Sequence, residues 1–275
     1  MKAVDRYAVI GNPVAHSKSP EIHAHFAAQT AQNLVYERLL APLDKFAEIV
    51  AAFVEAGGKG ANVTVPFKLE AHALASKLGN RAKAAGAVNT LRFENGEIHG
   101  DNTDGIGLVR DIAVNAGVSF KGARVLLLGA GGAARGVILP IADEWPREIV
   151  IANRTEAKAA ELARLFAGQA RTSACGFEAV NGGFDIVINA TSASLADELP
   201  PVPVAVFSES TFAYDMMYGA KPTRFMAFAQ THGAQTRDGL GMLAEQAAES
   251  FFIWRGVRPE TGPVLKALRA GLQES

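Results

Sequence analysis

The sequence predicts an α/β protein of two domains, the second built on a doubly wound parallel sheet. Three observations carry that prediction. Short apolar runs alternate with helical patterns along most of the 275 residues. Near the middle, Arg124-Val-Leu-Leu-Leu-Gly129-Ala130-Gly131-Gly132-Ala133-Ala134-Arg135 reads as strand, tight turn and helix. The pattern changes at Asn102-Thr-Asp104-Gly105, and a long helical stretch follows Asp238, so the domains are expected at 1–103 plus 241–275 and at 104–240. The C-terminal helices thereby return to the first domain.

In chain order, Tyr7–Gly11 reads as a first strand, and Ser19-Pro20 as a helix start with serine as N-cap and proline at the first helical position. Leu34–Leu40, a helix over Leu43–Ala56 stopped by Gly57-Gly58, and a strand over Gly60–Val65 extend this to β-α-β-α-β. In Asn62-Val-Thr64-Val-Pro66-Phe67-Lys68, alternation puts Asn62 and Thr64 on one strand face, and Pro66 is expected to open a helix. Lys68 then falls in a first helical turn, where the helix dipole disfavours a cation. A broken local rule of that kind marks a candidate site, the plain alternative being an exposed surface lysine. Glu94-Asn95-Gly96 is a hairpin tip. Asp104 opens another helix, and from local sequence alone it reads as an N-cap.

Gly129 permits the turn, Gly131 allows close approach of a phosphate, and Ala134 allows tight helix packing, which is the G-x-G-x-x-A pattern of a Rossmann-type dinucleotide fold. A glycine turn that binds nothing is the alternative. The next β run ends at Asn153-Arg154-Thr155, where an NAD site normally places an acid on the ribose 2′-hydroxyl. Arg154 stands there instead, with Lys158 one helical turn later, and both have the charge that suits a 2′-phosphate. Further helices are expected over Glu156–Phe166 and Lys221–His232, with β runs near Arg171–Ala174, Phe184–Asn189 and Ser210–Asp215. Thr191-Ser192 follows a strand at the carboxyl edge where cofactor binds in such sheets. The last long helix, opening at Asp238-Gly239-Leu-Gly241-Met242, carries an apolar stripe of Leu243, Ala247, Phe251 and Trp254, with Met242 and Gln246 on another face.

Composition narrows the class. With 49% hydrophobic and 20% charged residues the chain fits a soluble α/β enzyme, and a net charge of −1 gives no attraction to nucleic acid or anionic membrane. No membrane-length apolar run and no secretory signal pattern occur, so a cytoplasmic protein is expected. The single cysteine, Cys175, excludes an internal disulfide and fits a reducing compartment. Histidine spacing gives no metal site.

Taken together, Ser17-Lys-Ser19-Pro20, Asn62–Lys68, Gly86-Ala-Val-Asn89-Thr90, Asn102-Thr-Asp104-Gly105, the Gly129 turn, Asn153-Arg154-Thr155, Asn189-Ala-Thr191-Ser192 and Asp238–Met242 resemble the shikimate dehydrogenase family over nearly the whole chain. The resemblance implies an NADP(H)-dependent oxidoreductase that reversibly reduces 3-dehydroshikimate to shikimate. It implies that Lys68 and Asp104 are catalytic, and that Ser17 and Ser19 hold the substrate carboxylate. Asn62, Thr64, Asn89, Asp104, Tyr218 and Gln246 would complete the substrate site. For the cofactor it implies Gly129, Ala130, Gly131, Gly132, Ala133, Asn153, Arg154, Thr155, Lys158, Thr191, Ser192, Met217, Gly239 and Met242. The expected partner is a small molecule, to a monomer or homodimer, and related quinate/shikimate dehydrogenases that prefer NAD are the near alternative. A non-catalytic NADP-binding regulator is the distant one. One departure lies at Ala193-Ser194-Leu195, where a glycine is common in the family.

Overall fold

The computed structural model describes Val4–Ala196 and Glu198–Gln273. These residues form two compact units, one running to Asp104 and resuming over Ala244–Val264, the other covering Gly105–Leu243 and resuming at Leu265. The expectation gave all of 241–275 to the first unit. From Leu265 onward the chain groups with the second, where Arg269 forms a two-pronged ion pair with Asp238 at 2.6 and 2.8 Å.

The first unit holds a mixed sheet of β1 (Asp5–Gly11), β2 (Leu34–Leu40), β3 (Gly58–Val63), β4 (Lys77–Leu78), β5 (Thr90–Glu94) and β6 (Glu97–Asp101) in the order β2-β1-β3-β5-β6-β4. β1 pairs in parallel with β2 and β3, the crossovers being α1 (Ser19–Gln29) and α2 (Phe46–Glu55). β5 and β6 form the hairpin that Asn95-Gly96 predicts, with both turn residues at positive φ. Ile10, Val50, Ala61, Val63, Phe67 and Leu91 make the core on one side of this sheet.

Three local readings need correction. Ser19 does not cap α1: Lys18 stands at the N-cap position and makes no side-chain cap bond, while the N–H of Ser19, the first helical residue, is taken by the Ser17 hydroxyl at 3.3 Å. Pro66 does not open a helix. It lies in a turn closed by Phe67 N–H to Thr64 O at 3.1 Å, and α3 (Lys68–Leu74) begins at Lys68 itself. β3 ends at Val63, so Thr64 stands just past the strand.

After α4 (Asn80–Ala85), α5 (Asp104–Arg110) continues as a π-helical turn over Asp111–Asn115. The second unit follows as β7 (Arg124–Leu128), α6 (Gly132–Ala142), β8 (Glu148–Ala152), α7 (Glu156–Leu165), β9 (Thr172–Cys175), β10 (Ile186–Asn189), β11 (Phe212–Asp215), α8 (Arg224–Thr231) and β12 (Gln235–Asp238). Every strand pair is parallel and the order is β12-β11-β10-β7-β8-β9. Winding reverses between β7 and β10, which opens a crevice beyond their carboxyl ends. Helices on both faces explain why β7 and β10 are buried along nearly their whole length and read as unbroken apolar runs.

α9 (Leu240–Arg255) passes from the second unit into the first, and α10 (Gly262–Gln273) passes back. The expected stripe on α9 is too narrow: Glu245, Glu249 and Ser250 are buried along with Ala244, Ala247, Ala248 and Phe251. Its buried acids are paired, Glu249 with Arg81 at 2.7 Å and with Arg258, and Glu245 with the Thr261 hydroxyl. Among the described residues no helix is long and apolar enough to cross a membrane, and no cluster of three potential metal ligands occurs.

α5 meets α6 backbone to backbone. A Cβ on Gly105 would collide with the Gly136 carbonyl and crowd Pro140. Gly105→Ala is therefore expected to lower stability by about 1–3 kcal/mol, as overpacking does. Urea unfolding of the variant and the parent checks this, and an unchanged midpoint would contradict it.

Candidate active site

Lys68 is the first residue of α3, and its carbonyl accepts the Val88 N–H at 2.9 Å, so the helix start is tied to the 87–89 segment. From there its Nζ reaches Asp104 Oδ2 at 2.6 Å. The other carboxylate oxygen, Oδ1, accepts from the Asn89 amide at 2.8 Å. Asp104 is thus no N-cap: it is the first residue of α5, and its own N–H is capped by Asn102 Oδ1 at 3.1 Å. Side chains of Lys68 and Asp104 are 31% and 23% exposed, enough for a reactant to touch them while bulk water is partly excluded.

Around this pair lies a polar cluster unusual for the interior of a domain. Asn62 donates to Ser250 Oγ at 2.9 Å and accepts from the Tyr36 hydroxyl at 2.7 Å. Asn89 Oδ1 accepts from Thr103 N–H and from the Thr90 hydroxyl, both at 2.9 Å. Gln246 Oε1 lies 3.3 Å from the Thr103 hydroxyl and 3.4 Å from the Asn89 amide. Burial leaves such groups little alternative to bonding one another. Ser17 and Ser19 hydroxyls sit 3.2 Å apart, and the Tyr36 hydroxyl, which bonds Asn62, also interacts with the Ser19 side chain and so relates the serine pair to the cluster. Thr64 is half-buried beside this set with its N–H on Ile10 O.

The second unit carries a separate cavity of about 590 Å³ at the carboxyl ends of β7 and β10. Gly129 to Ala133, Asn153, Arg154, Thr155, Lys158, Thr191, Ser192 and Met217 all line it, as the sequence suggests. Gly129 has φ +106°, a conformation that needs glycine, and a Cβ there would press on the Ala190 carbonyl. Gly131 and Gly132 differ, since a Cβ at either would project into open space. Their bare backbone and the uncapped N-terminus of α6 present N–H donors to the cavity, a good fit to pyrophosphate. Arg154 and Lys158 are exposed on its rim. Gly239 and Met242 do not line this cavity. Gly239 packs against the Met216 backbone and donates to Met217 O at 2.9 Å, so it adjoins a residue that does.

Known proteins match this arrangement throughout. Residues 9–91 fit the family described as shikimate dehydrogenase substrate binding domain, 111–196 fit shikimate/quinate 5-dehydrogenase, and 239–269 fit the shikimate 5′-dehydrogenase C-terminal domain. The chain is 66% identical over 265 residues to the shikimate dehydrogenase (NADP(+)) of Janthinobacterium sp. (strain Marseille), covering 96% of this chain and 97% of that one. The chain belongs to the shikimate dehydrogenase family. Among solved structures, an Ael1 enzyme from Pseudomonas putida superposes with TM-score 0.93 at 50% identity, over 96% of this chain and 98% of that one. The shikimate 5-dehydrogenase of Thermus thermophilus, in complex with NADP(H) and shikimate, superposes with TM-score 0.83 at 31% identity, over 98% and 100%.

For a member of this family, the first unit brings together Lys68, Asp104, Asn62, Asn89 and Gln246, and ties in Ser17 and Ser19 through Tyr36. Tyr218 belongs to the second unit, on the segment after β11. Sequence reading missed Tyr36, Thr103 and Ser250. Ser250 stands four residues after Gln246, and that helical spacing was the available signal. Of the Ala193-Ser194-Leu195 departure, Ala193–Ala196 form a 3₁₀ turn, and the Leu195 side chain lies outside the described residues.

Beside Tyr36, His23 is fully buried and stacked on the phenol ring at 4.2 Å. Burial drives its pKa from the ordinary 6.5 down to about 3, Asn62 offsetting only part of that. The unfolded chain therefore binds a proton below about pH 6.5 that the folded chain refuses until about pH 3. Stability from this group is complete above the upper value and is lost as pH falls through the window. Urea midpoints should drop between about pH 7.5 and about pH 5, and the drop should be smaller in His23→Phe, which keeps an aromatic ring but cannot titrate.

Proposed function

We propose that the chain catalyses the reversible reduction of 3-dehydroshikimate to shikimate with NADPH, a step toward chorismate and the aromatic amino acids. The observation that carries the reading is the 2.6 Å contact of Lys68 with an Asp104 carboxylate that Asn89 orients from its other oxygen. The first unit is assigned to substrate and the second to cofactor. NADPH, when bound, supplies the hydride that reduces the keto carbon.

The chain's own residues handle the oxygen. Reduction turns the carbonyl oxygen into a developing alkoxide, which needs a proton and a nearby positive charge. Lys68 Nζ can supply both, and the 2.6 Å contact with Asp104 keeps it aimed. In the reverse direction the same pair receives the hydroxyl proton. Asn62, Asn89, Thr64 and Gln246 present amides and a hydroxyl suited to a polyhydroxylated ring, as does Tyr218 from its own unit. Ser17 and Ser19 suit the ring's carboxylate. Arg154 and Lys158 suit a 2′-phosphate, since guanidinium and ammonium groups bind phosphate strongly whereas NAD offers only a hydroxyl there. The reading also has the enzyme working in the cytoplasm as a monomer or homodimer, with no nucleic-acid or membrane partner, in keeping with a net charge of −1.

Steady-state assay of shikimate and quinate against NADP and NAD tests the proposal. Shikimate with NADP should be turned over fastest; quinate with NAD as the preferred pair, or no turnover at all, would overturn it. Lys68→Ala should lower kcat by about 10²–10⁴-fold, the usual range for a general acid, with little change in NADPH affinity. Arg154→Ala should reduce the NADP-to-NAD preference by about tenfold or more, the scale of one lost charge-assisted bond. An unaltered preference would remove Arg154 from cofactor choice.

A further inference from the structure

The second unit contains a buried carboxylate that neither the fold nor the proposed chemistry has used. Asp215, the last residue of β11, is fully buried. An unpartnered charge there would be severely disfavoured, and four donors meet it. Its Oδ2 accepts from the Ser194 hydroxyl at 2.6 Å, the Thr223 hydroxyl at 2.6 Å and the Asn189 amide at 3.3 Å. Its Oδ1 accepts the Met217 N–H at 3.0 Å.

These donors come from segments that form different walls of the cofactor cavity. Asn189 and Ser194 frame the loop after β10, while Met217 belongs to the loop after β11. Asn189 strengthens the link: its Oδ1 takes the Thr191 N–H at 3.1 Å and hydroxyl at 2.7 Å, and its carbonyl takes Met216 N–H at 3.0 Å. Thr191, Ala193, Met216 and Met217 line the cavity, whereas Ser194 and Asp215 do not. Thr223 adds an anchor from outside, because the hydroxyl that donates to Asp215 also accepts Met226 N–H at 3.2 Å to cap α8.

We propose that Asp215 is a positioning residue for NADP(H), and that Ser194 is the clamp through which it fixes the loop after β10 relative to the loop after β11. The inference rests on the cofactor reading of this cavity. Short bonds to a charged acceptor are the stronger kind, so the two loops hold their separation before the cofactor arrives. Affinity then benefits because little ordering is left for binding to impose. Ser194 occupies the stretch that departs from the common glycine pattern of the family, and in this chain its hydroxyl has a defined partner.

NADPH titration by fluorescence on substrate-free protein, alongside steady-state kinetics and thermal melting, tests the clamp in Ser194→Ala and Ser194→Thr. Ser194→Ala should weaken NADPH binding and raise its KM on the order of fivefold, a fraction of the value of one charge-assisted bond. The KM for shikimate and kcat should stay at the parent values, while Tm should fall modestly, because three donors remain on the buried Asp215 carboxylate. Ser194→Thr, which keeps the hydroxyl, should restore affinity. Parent-like NADPH binding in Ser194→Ala, or a threonine variant as weak as the alanine one, would overturn the clamp while leaving the cofactor reading intact. A parent protein that binds no NADPH would overturn both.

Discussion

A polar cluster inside an apolar unit is costly unless its donors find acceptors, and Asn89 is the residue on which most of this cluster's bonds converge. Its amide nitrogen serves Asp104, Thr103 and Gln246, its side-chain oxygen serves Thr90 and the Thr103 backbone, and its carbonyl serves Asn62 and the Val63 N–H. Strand β3, strand β5, the Asn102–Asp104 corner and helix α9 are therefore registered against one residue, β3 through its backbone carbonyl and the others through its side chain. Charge follows from that registration. Asp104 can aim the Lys68 ammonium only because its second oxygen is already held.

The second unit answers a different constraint. A parallel sheet covered on both faces has no polar surface along its strands, so its chemistry is displaced to the strand ends. Glycine opens the β7 end, and the buried Asp215 organises the loops after β10 and β11. One unit thus builds its site from side-chain networks and the other from backbone, with the Asp215 carboxylate as a deep polar anchor for the cavity loops. Asp111, equally buried, plays a comparable part near β12, taking the Tyr214 hydroxyl at 2.8 Å and both prongs of Arg237.

Much of this was legible because period and punctuation survive in sequence. The Gly129 turn, the Asn95-Gly96 hairpin and the α/β alternation are local, and local rules found them. Asp104 shows where such rules stop. Taken by itself it is an ordinary helix-capping residue, and what removes it from that role is Asn102, two residues earlier, doing the capping. Ser19 and Pro66 misled for the same reason, as each fits a helix start that the chain builds with other residues. Tyr36 and Thr103 left no trace, and Ser250 only its helical spacing from Gln246, because their importance lies in which distant partner they meet, and strand registers decide that. The division at Leu265 was likewise invisible, since it rests on contacts between segments far apart in the chain, the Arg269–Asp238 pair among them.

The glycines of the β7–α6 turn separate two kinds of selection. Gly129 is required by its backbone conformation, so a chain that must merely fold would retain it. At Gly131 and Gly132 the backbone angles are ones any residue adopts, and a methyl group would meet only empty space. Alanine there should leave the apo fold content and intrude only where a pyrophosphate would lie. In a library screened for solubility these two positions would drift, and in one screened for growth without any supply of the reaction product they would not. The contrast between those two screens would outline the anion's footprint without any ligand being seen.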